Sequence, residues 1–464
     1  MTSALEQEFA NSPTPEKTLL GHLAACDFQP PATKSRGGQL RLMLAGYSGS
    51  GNVGTEMRTG EIRRQIAALL GPQVSFRALS TTGSLPEDTL PQVQCVKLDG
   101  YLPQALQEAV DEVDAVVACE GSMFKSTFSN VLSAIMATAI GGAHRVGKLS
   151  VGYGAEIGRM DPMLEGFVRE QVGQALILCR NEPSLRRAQE LGLRAQLGAD
   201  TAWSFDAAPP DESRVALSSL GWDGVSPLLV VCPINAFWWP VRPFPAMRVT
   251  ESNRHLHYQS IFFHAHSAAR QAAYRRYMEQ MASAINHLAE RNRAFVLLVS
   301  MERVDRAACA DLAARLTRPA GQMQGADHPV RTVIGVLRCA SLLVSSRFHA
   351  LVGAMPAGVP SVGVSMDERI VNLLGGDSER VVKASSLTLG QDILRAVEQL
   401  DPDQVAAASV ACVREGLRLQ AGMGRAFLEE LRRAYPGLEI AEPSRPGDWK
   451  SWLPPLSPML EAMA

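Results

Sequence analysis

The sequence predicts an α/β protein of two similar halves, each an open parallel sheet with helices on both faces, meeting at a central cleft. Two observations carry that expectation. Apolar runs of strand length alternate with longer amphipathic segments, and the series breaks once, over 206–226, before it resumes. Sheets facing one another in this way bring the C-terminal ends of their strands to a shared cleft, where ligands of such folds bind.

Residues 1–38 carry Pro13, Pro15, Pro30, Pro31 and Gly37-Gly38 around one weak helical stretch at 18–25, and read as a flexible N-terminal arm. The first domain, 39–205, has strands at 41–46, 74–79, 115–119, 149–152 and 176–179. Its helix at 56–70 sets Ile62, Ile66, Leu69 and Leu70 on one face and stops at Gly71-Pro72. Pro209-Pro210, Gly221 and Gly224 mark 206–226 as a linker. The second domain, 227–400, has strands at 228–232, 295–300, 342–345 and 361–364, with helices at 268–291, 305–316, 349–358, 368–374 and 387–400. Residues 401–464 give a helix at 403–434 and a proline-rich tail expected to lie as irregular chain over the surface.

With 464 residues, 46% of them hydrophobic, the chain has material for two ordinary cores. Its 45 Lys+Arg against 47 Asp+Glu leave a net charge of -2, so a nucleic-acid partner held through phosphates is not expected. Eight cysteines stand singly from Cys26 to Cys412 without zinc-type spacing, which points to reduced thiols in the cytoplasm. No signal-peptide pattern opens the chain and no run of about eighteen apolar residues occurs, so no integral membrane segment is expected.

The chemistry is sought in strand-to-helix loops. Tyr47-Ser48-Gly49-Ser50-Gly51-Asn52-Val53-Gly54 fits G-x-G-x-x-G, a turn that lets backbone approach an anion at a helix start. The next strand ends in Ser80-Thr81-Thr82 and offers no acidic residue for a ribose, which argues against a dinucleotide. A ligand loop of another kind and a plain connecting turn both remain open. In the second domain, Ser345-Ser346-Arg347-Phe348-His349 follows an apolar strand. Arg347 offers a fork of donors to a phosphate or carboxylate, and His349 exchanges a proton near neutral pH. The alternative is that Arg347 pairs with a carboxylate and His349 packs on the neighbouring strand.

Three ordered matches resemble the polysaccharide pyruvyl transferase family: Gly46-Tyr47-x-Gly49-x-x-Asn52-x-Gly54-x-Glu56, then Arg180-Asn181-x-x-Ser184 with Ala199-Asp200-Thr201-Ala202, then Ser346 to Val352 with Ala357-Gly358-Val359-Pro360. The resemblance implies two Rossmann-like domains of the GT-B type. It also implies transfer of a pyruvyl group from phosphoenolpyruvate to a sugar or glycan-like acceptor as a ketal. Phosphoenolpyruvate would be a co-substrate, with no cofactor and no metal. Arg347 and Ser346 would hold the donor and His349 would act as general acid. Tyr47, Gly49 and Asn52 would meet the acceptor. Thr55 stands where the family has an aspartate, and a hydroxyl cannot act as a base near neutral pH. Glu56 is one substitute, unless it serves only the helix dipole, and Glu120, at another strand end, is the second.

Beyond the family pattern, Trp238 and Trp239 are candidates to stack on a sugar and Arg242 to contact the anionic donor, unless the indoles bury the linker. His255, His257, His264 and His266 read as polar contacts of an inserted loop in preference to a metal site. Two rival functions stay open, a nucleotide-sugar glycosyltransferase of the same fold and a non-catalytic binding homologue. The acceptor and the oligomeric state, a homo-oligomer included, also stay open.

Overall fold

The computed structural model describes residues 4–31, 39–80, 82–375 and 378–464. The first lobe is a seven-stranded sheet of β1 (Leu40–Ser48), β2 (Val74–Ser80), β3 (Gln94–Lys97), β4 (Ala115–Ala118), β5 (Leu149–Ala155), β6 (Leu176–Cys179) and β7 (Ala195–Leu197). Its order is β3-β2-β1-β4-β5-β6-β7, and every pairing is parallel. The second lobe begins with β8 (Leu228–Cys232). A small antiparallel sheet of β9 (Val241–Pro243), β10 (His257–Gln259) and β11 (Phe262–His264) intervenes. The lobe then continues with β12 (Phe295–Ser300), β13 (Gly321–Gln324), β14 (Leu342–Ser345), β15 (Ser361–Ser365) and β16 (Val381–Lys383), in the order β13-β12-β8-β14-β15-β16. β4, β6 and β8 are buried along their whole length, which is why they read as unbroken apolar runs.

The lobes share a core. One apolar cluster contains Leu42 and Leu44 of the first sheet, Val230 and Leu297 of the second, and Leu417 and Phe427 of the Pro402–Ala434 helix. That helix passes Gly358 of the second lobe at Ala406 and returns to the first lobe. There Gln65 Nε2 donates to the Gln420 carbonyl at 2.9 Å, and the Tyr435 hydroxyl donates to the Asp114 carbonyl at 2.5 Å.

Three expectations need correction. The N-terminal segment is not a loose arm: Ala4–Asn11 and Pro15–Ala24 are helices, and Phe9, Leu19, Leu20, Leu23 and Phe28 are buried in the first lobe's second apolar cluster. Pro15 sits in the first turn, where a missing N–H costs nothing, so a residue read as a breaker opens a helix. Residues 32–38, Gly37-Gly38 among them, lie outside the described residues. The linker holds the helix Pro210–Ser219, again opened by proline, and Gly335 lets it lie close, with Ser213 Oγ only 2.2 Å from where a Cβ would stand. The tail buries Trp452, Leu453 and Leu460. All eight cysteines are free. Among the described residues no helix is long and apolar enough to cross a membrane.

Packing of the N-terminal helices is directly measurable. Leu23 is fully buried, so Leu23→Ala is expected to cost about 2–5 kcal/mol in chemical denaturation. A mobile arm would show no change.

Candidate active site between the lobes

A cavity of about 510 Å³ lies at the carboxyl ends of both sheets. Tyr47 at the end of β1, Ser80 ending β2 and Glu120 after β4 come from one side; Glu302 after β12, Arg347 after β14 and Arg369 after β15 come from the other. Trp239, Tyr258 and Phe262 of the inserted segment complete its wall. A chamber of about 40 Å³ adjoins it, shares Asn52, Thr55, Glu120, Arg347 and Arg369 with it, and adds Arg180, Phe348 and His349.

Arg347 is both paired and cavity-facing. Its Nε donates to Asp305 Oδ2 at 2.7 Å, its Nη2 to Oδ1 at 2.5 Å, and Glu302 Oε2 lies 2.8 Å from the same Nη2. Burial opposes the charge, but the two carboxylates outweigh it and drive the guanidinium pKa up, so the group is a permanent cation. Arg369 is built alike: its Nε donates to Asp367 at 2.9 and 3.0 Å, and its guanidinium lies 4.5 Å from the centre of the Phe128 ring. Lys125, fully buried, meets Glu368 at 2.9 Å and Asp367 at 3.3 Å across the lobe boundary. Burial lowers its pKa against those carboxylates.

His349 lies where the lobes touch. Its Nε2 is 3.4 Å from Asp200 Oδ2, and a Cβ on Gly54 would fall 2.1 Å from its Nδ1, so the third glycine of the first-lobe loop is what lets the imidazole in. Asp200 also receives Arg58 Nε at 3.2 Å and Arg180 Nη1 at 3.1 Å. Burial raises the Asp200 pKa, yet Arg58, His349 and Arg180 override it and hold the carboxylate far below its usual range. Burial pushes His349 below the ordinary imidazole value, with Asp200 working against it. The Phe348 ring sits 4.3 Å from the Arg180 guanidinium.

Thr55 donates through Oγ1 to Glu120 Oε2 at 3.1 Å, and Gly121 N donates to Oε1 at 2.9 Å. Glu120 therefore stands beside Thr55, with both side chains on the cavity wall. Asn52 lines it while capping the Val53–Leu70 helix through Thr55 N. Tyr47 stacks on Tyr258 with ring centres 6.3 Å apart, and the two hydroxyls meet.

Several expected site residues lie elsewhere. Glu56 folds back on its own loop and accepts from Gly49 N at 2.7 Å, and both residues line a separate cavity of about 180 Å³. The glycine-rich turn thus binds the protein's own carboxylate, which removes Glu56 from the base role and Gly49 from the acceptor. Ser346 is buried and bonded to the Tyr277 hydroxyl at 2.9 Å, inside the second lobe. Arg242 is exposed on β9, whose flanking Val241 and Pro243 take the inward positions. Trp238 stacks on His264 with ring centres 3.9 Å apart and does not line the cavity, whereas Trp239 does. The four histidines are spread through the small sheet: His257 Nε2 lies 2.9 Å from the Ser260 carbonyl, and the His255 and His266 rings sit 5.7 Å apart. Among the described residues no three metal-binding side chains converge.

Sequence reasoning passed over Arg369 and Asp305 and left Lys125 without a role. Arg369 stands in the first turn of the Glu368–Leu374 helix that follows β15, and Lys125 in the loop that follows β4, the same kind of strand-end position as Glu120.

Glu56 makes a measurable pH dependence. Burial raises its carboxyl pKa from 4.5 to about 8 despite the Gly49 N–H. The unfolded group ionises near 4.5, so the stability from holding the proton is full below that value and lost as pH rises to about 8. Glu56→Gln is expected to flatten the decline in stability between pH 5 and 8, by up to about 1.4 kcal/mol per pH unit. Thermal melts of both proteins across that range test it.

Comparison with known structures places the architecture. A UDP-N-acetylglucosamine 2-epimerase structure from Listeria monocytogenes aligns with a TM-score of 0.54 at 10% identity, covering 84% of this chain and 97% of that one. The S. aureus MnaA–UDP structure aligns at 0.51 with 9% identity, covering 84% and 98%. Identities this low show the fold alone, which is of the GT-B type. No curated protein matches the sequence significantly. The family model of polysaccharide pyruvyl transferase matches residues 69–368, spanning both lobes and carrying Glu120, Arg180, Asp200, Arg347 and His349. On that match and on this fold, the chain belongs to the polysaccharide pyruvyl transferase family.

Proposed function

We propose that the protein transfers a pyruvyl group from phosphoenolpyruvate to two hydroxyls of a sugar-containing acceptor. The observation that carries this reading is the convergence of Arg347, Arg369 and Lys125 with Glu120 around one cavity, beside a chamber holding the His349–Asp200 pair. The two guanidinium groups, with Lys125 beside them, suit a small donor bearing both a carboxylate and a phosphate. His349 supplies the proton to the methylene carbon, giving a cationic centre at C2. Glu120 takes the proton of the first attacking hydroxyl. The C2–O bond to phosphate then breaks, and the second hydroxyl closes the ketal. One proton enters carbon, two leave the hydroxyls, and phosphate departs as its monohydrogen form. Asp200 is a positioning residue that holds the imidazole. Glu120, hydrogen-bonded to Thr55, is the carboxylate placed to take the base role.

Three outcomes are expected. Phosphoenolpyruvate raises the melting temperature of the wild type, and Arg369→Gln weakens its binding at least tenfold. With an acceptor panel, phosphate release from phosphoenolpyruvate falls by 10²–10⁴ in His349→Gln while donor binding persists. Because the acid must be protonated and burial lowers its pKa, kcat/KM declines with rising pH through a midpoint below 6.5. Stabilisation by nucleotide-sugars without any response to phosphoenolpyruvate overturns the reading in favour of a glycosyltransferase.

A further inference from the structure

The cavity has two chemical ends. Around Arg347, Arg369 and Glu120 it is charged. At the other end its wall is Leu98, Leu102, Leu132, Ile135 and Phe262, none fully buried, each turning part of an apolar side chain into the same space. Apolar side chains partly exposed inside a cavity gain from burial against an apolar guest. A bare sugar, hydroxylated all round, would lose hydrogen bonds to water there without replacing them.

Regular elements of both lobes support this end. Leu132 and Ile135 are three residues apart on the Asn130–Arg145 helix, so they share a face. Leu98 and Leu102 flank the turn from β3 into the Leu102–Asp111 helix. Phe262 comes from β11 of the inserted sheet, which the second lobe contributes and which is tied to the first lobe where Val241 N donates to the Phe128 carbonyl at 2.8 Å. Lys97 and Asp99 form an exposed ion pair at 2.6 Å, with side chains 53% and 70% accessible, and mark a solvent-facing edge of this end.

We infer that the acceptor carries an apolar aliphatic substituent on the sugar and that this chamber receives it. The inference rests on the cleft being the pyruvyl transfer site and adds the class of acceptor. The flexible aliphatic lining, with one phenyl ring, suits an alkyl or acyl chain better than a flat aromatic plate. The chain lies at the Leu132–Ile135 end while the sugar's hydroxyls face Glu120.

The test uses methyl, butyl and octyl glucopyranosides, below micelle-forming concentration, with the full-length protein. Affinity is read by thermal shift and by the fluorescence of Trp239 on the cavity wall. Binding is expected to tighten about tenfold from methyl to butyl. Ile135→Asn removes that gain, and Ile135→Phe, which fills the space without adding polarity, also reduces it while keeping the fold. Stabilisation by phosphoenolpyruvate persists in both variants. Equal affinity for all three glycosides with intact phosphoenolpyruvate binding overturns the inference and leaves the pyruvyl transfer reading standing. A chain-length effect unchanged in both variants also overturns it, because the alkyl group then binds elsewhere. Chain-length dependence lost in the variants, together with no response to phosphoenolpyruvate, overturns the pyruvyl transfer reading and keeps the apolar chamber.

Discussion

Asp200 is an ionised carboxylate with almost no access to water, and its charge is tolerable only because Arg58 and Arg180 approach it from within the first lobe while His349 approaches from the second. The arrangement links catalysis-bearing groups to the backbone itself. Arg58 donates onward to the carbonyls of Cys119 and Gly154, at the ends of β4 and β5, so the position of Asp200 is fixed by the strands that also carry Glu120. Truncating Asp200 would leave the buried Arg58 and Arg180 guanidinium groups without their shared carboxylate. The imidazole is held from one side by this network and from the other by the bare backbone of Gly54.

Charge also fixes how the lobes meet. Lys125 reaches from the first lobe to Asp367 and Glu368 in the second, and Arg180 joins the same group through Glu156. The Val53 N–H donates to the Met301 carbonyl at 2.8 Å, so a helix start of one lobe is capped by the other. The glycine-rich loop is consequently a joint between lobes more than a cradle for an outside anion. Its own Glu56 accepts from the Gly49 N–H, so that donor of a motif readable as a phosphate loop is already engaged within the protein.

The sheets were legible because their strands are short, apolar and flanked by turns: β6, β8, β12 and β14 fall at the residues the pattern marks. The weak strands β3, β7, β13 and β16 were not, since they lie at or near sheet edges and carry Gln, Lys or Gly in place of an apolar run. Arg347, His349, Glu120, Asn52, Tyr47 and Trp239, singled out from loop position, residue type and the family resemblance, line the cavity or the chamber beside it. Glu56, Gly49, Ser346, Arg242 and Trp238 were drawn from the same loops but point elsewhere, because sequence gives a loop's address and not the direction of each side chain. The partners of Asp200 could not be read at all: Arg58 and Asp200 are 142 residues apart and meet only in the fold.

The Pro402–Ala434 helix has 33 residues and, at about 1.5 Å per residue, runs for roughly 50 Å without a break. It lies against Gly358 near its start and delivers Gln420 and Tyr435 to the opposite lobe near its end. A continuous helix seated on one lobe near its start and on the other from its middle to its end resists a wide swing in the way a brace resists racking of a frame. A wide opening of the two lobes would have to bend this helix or pull it from one of its seats.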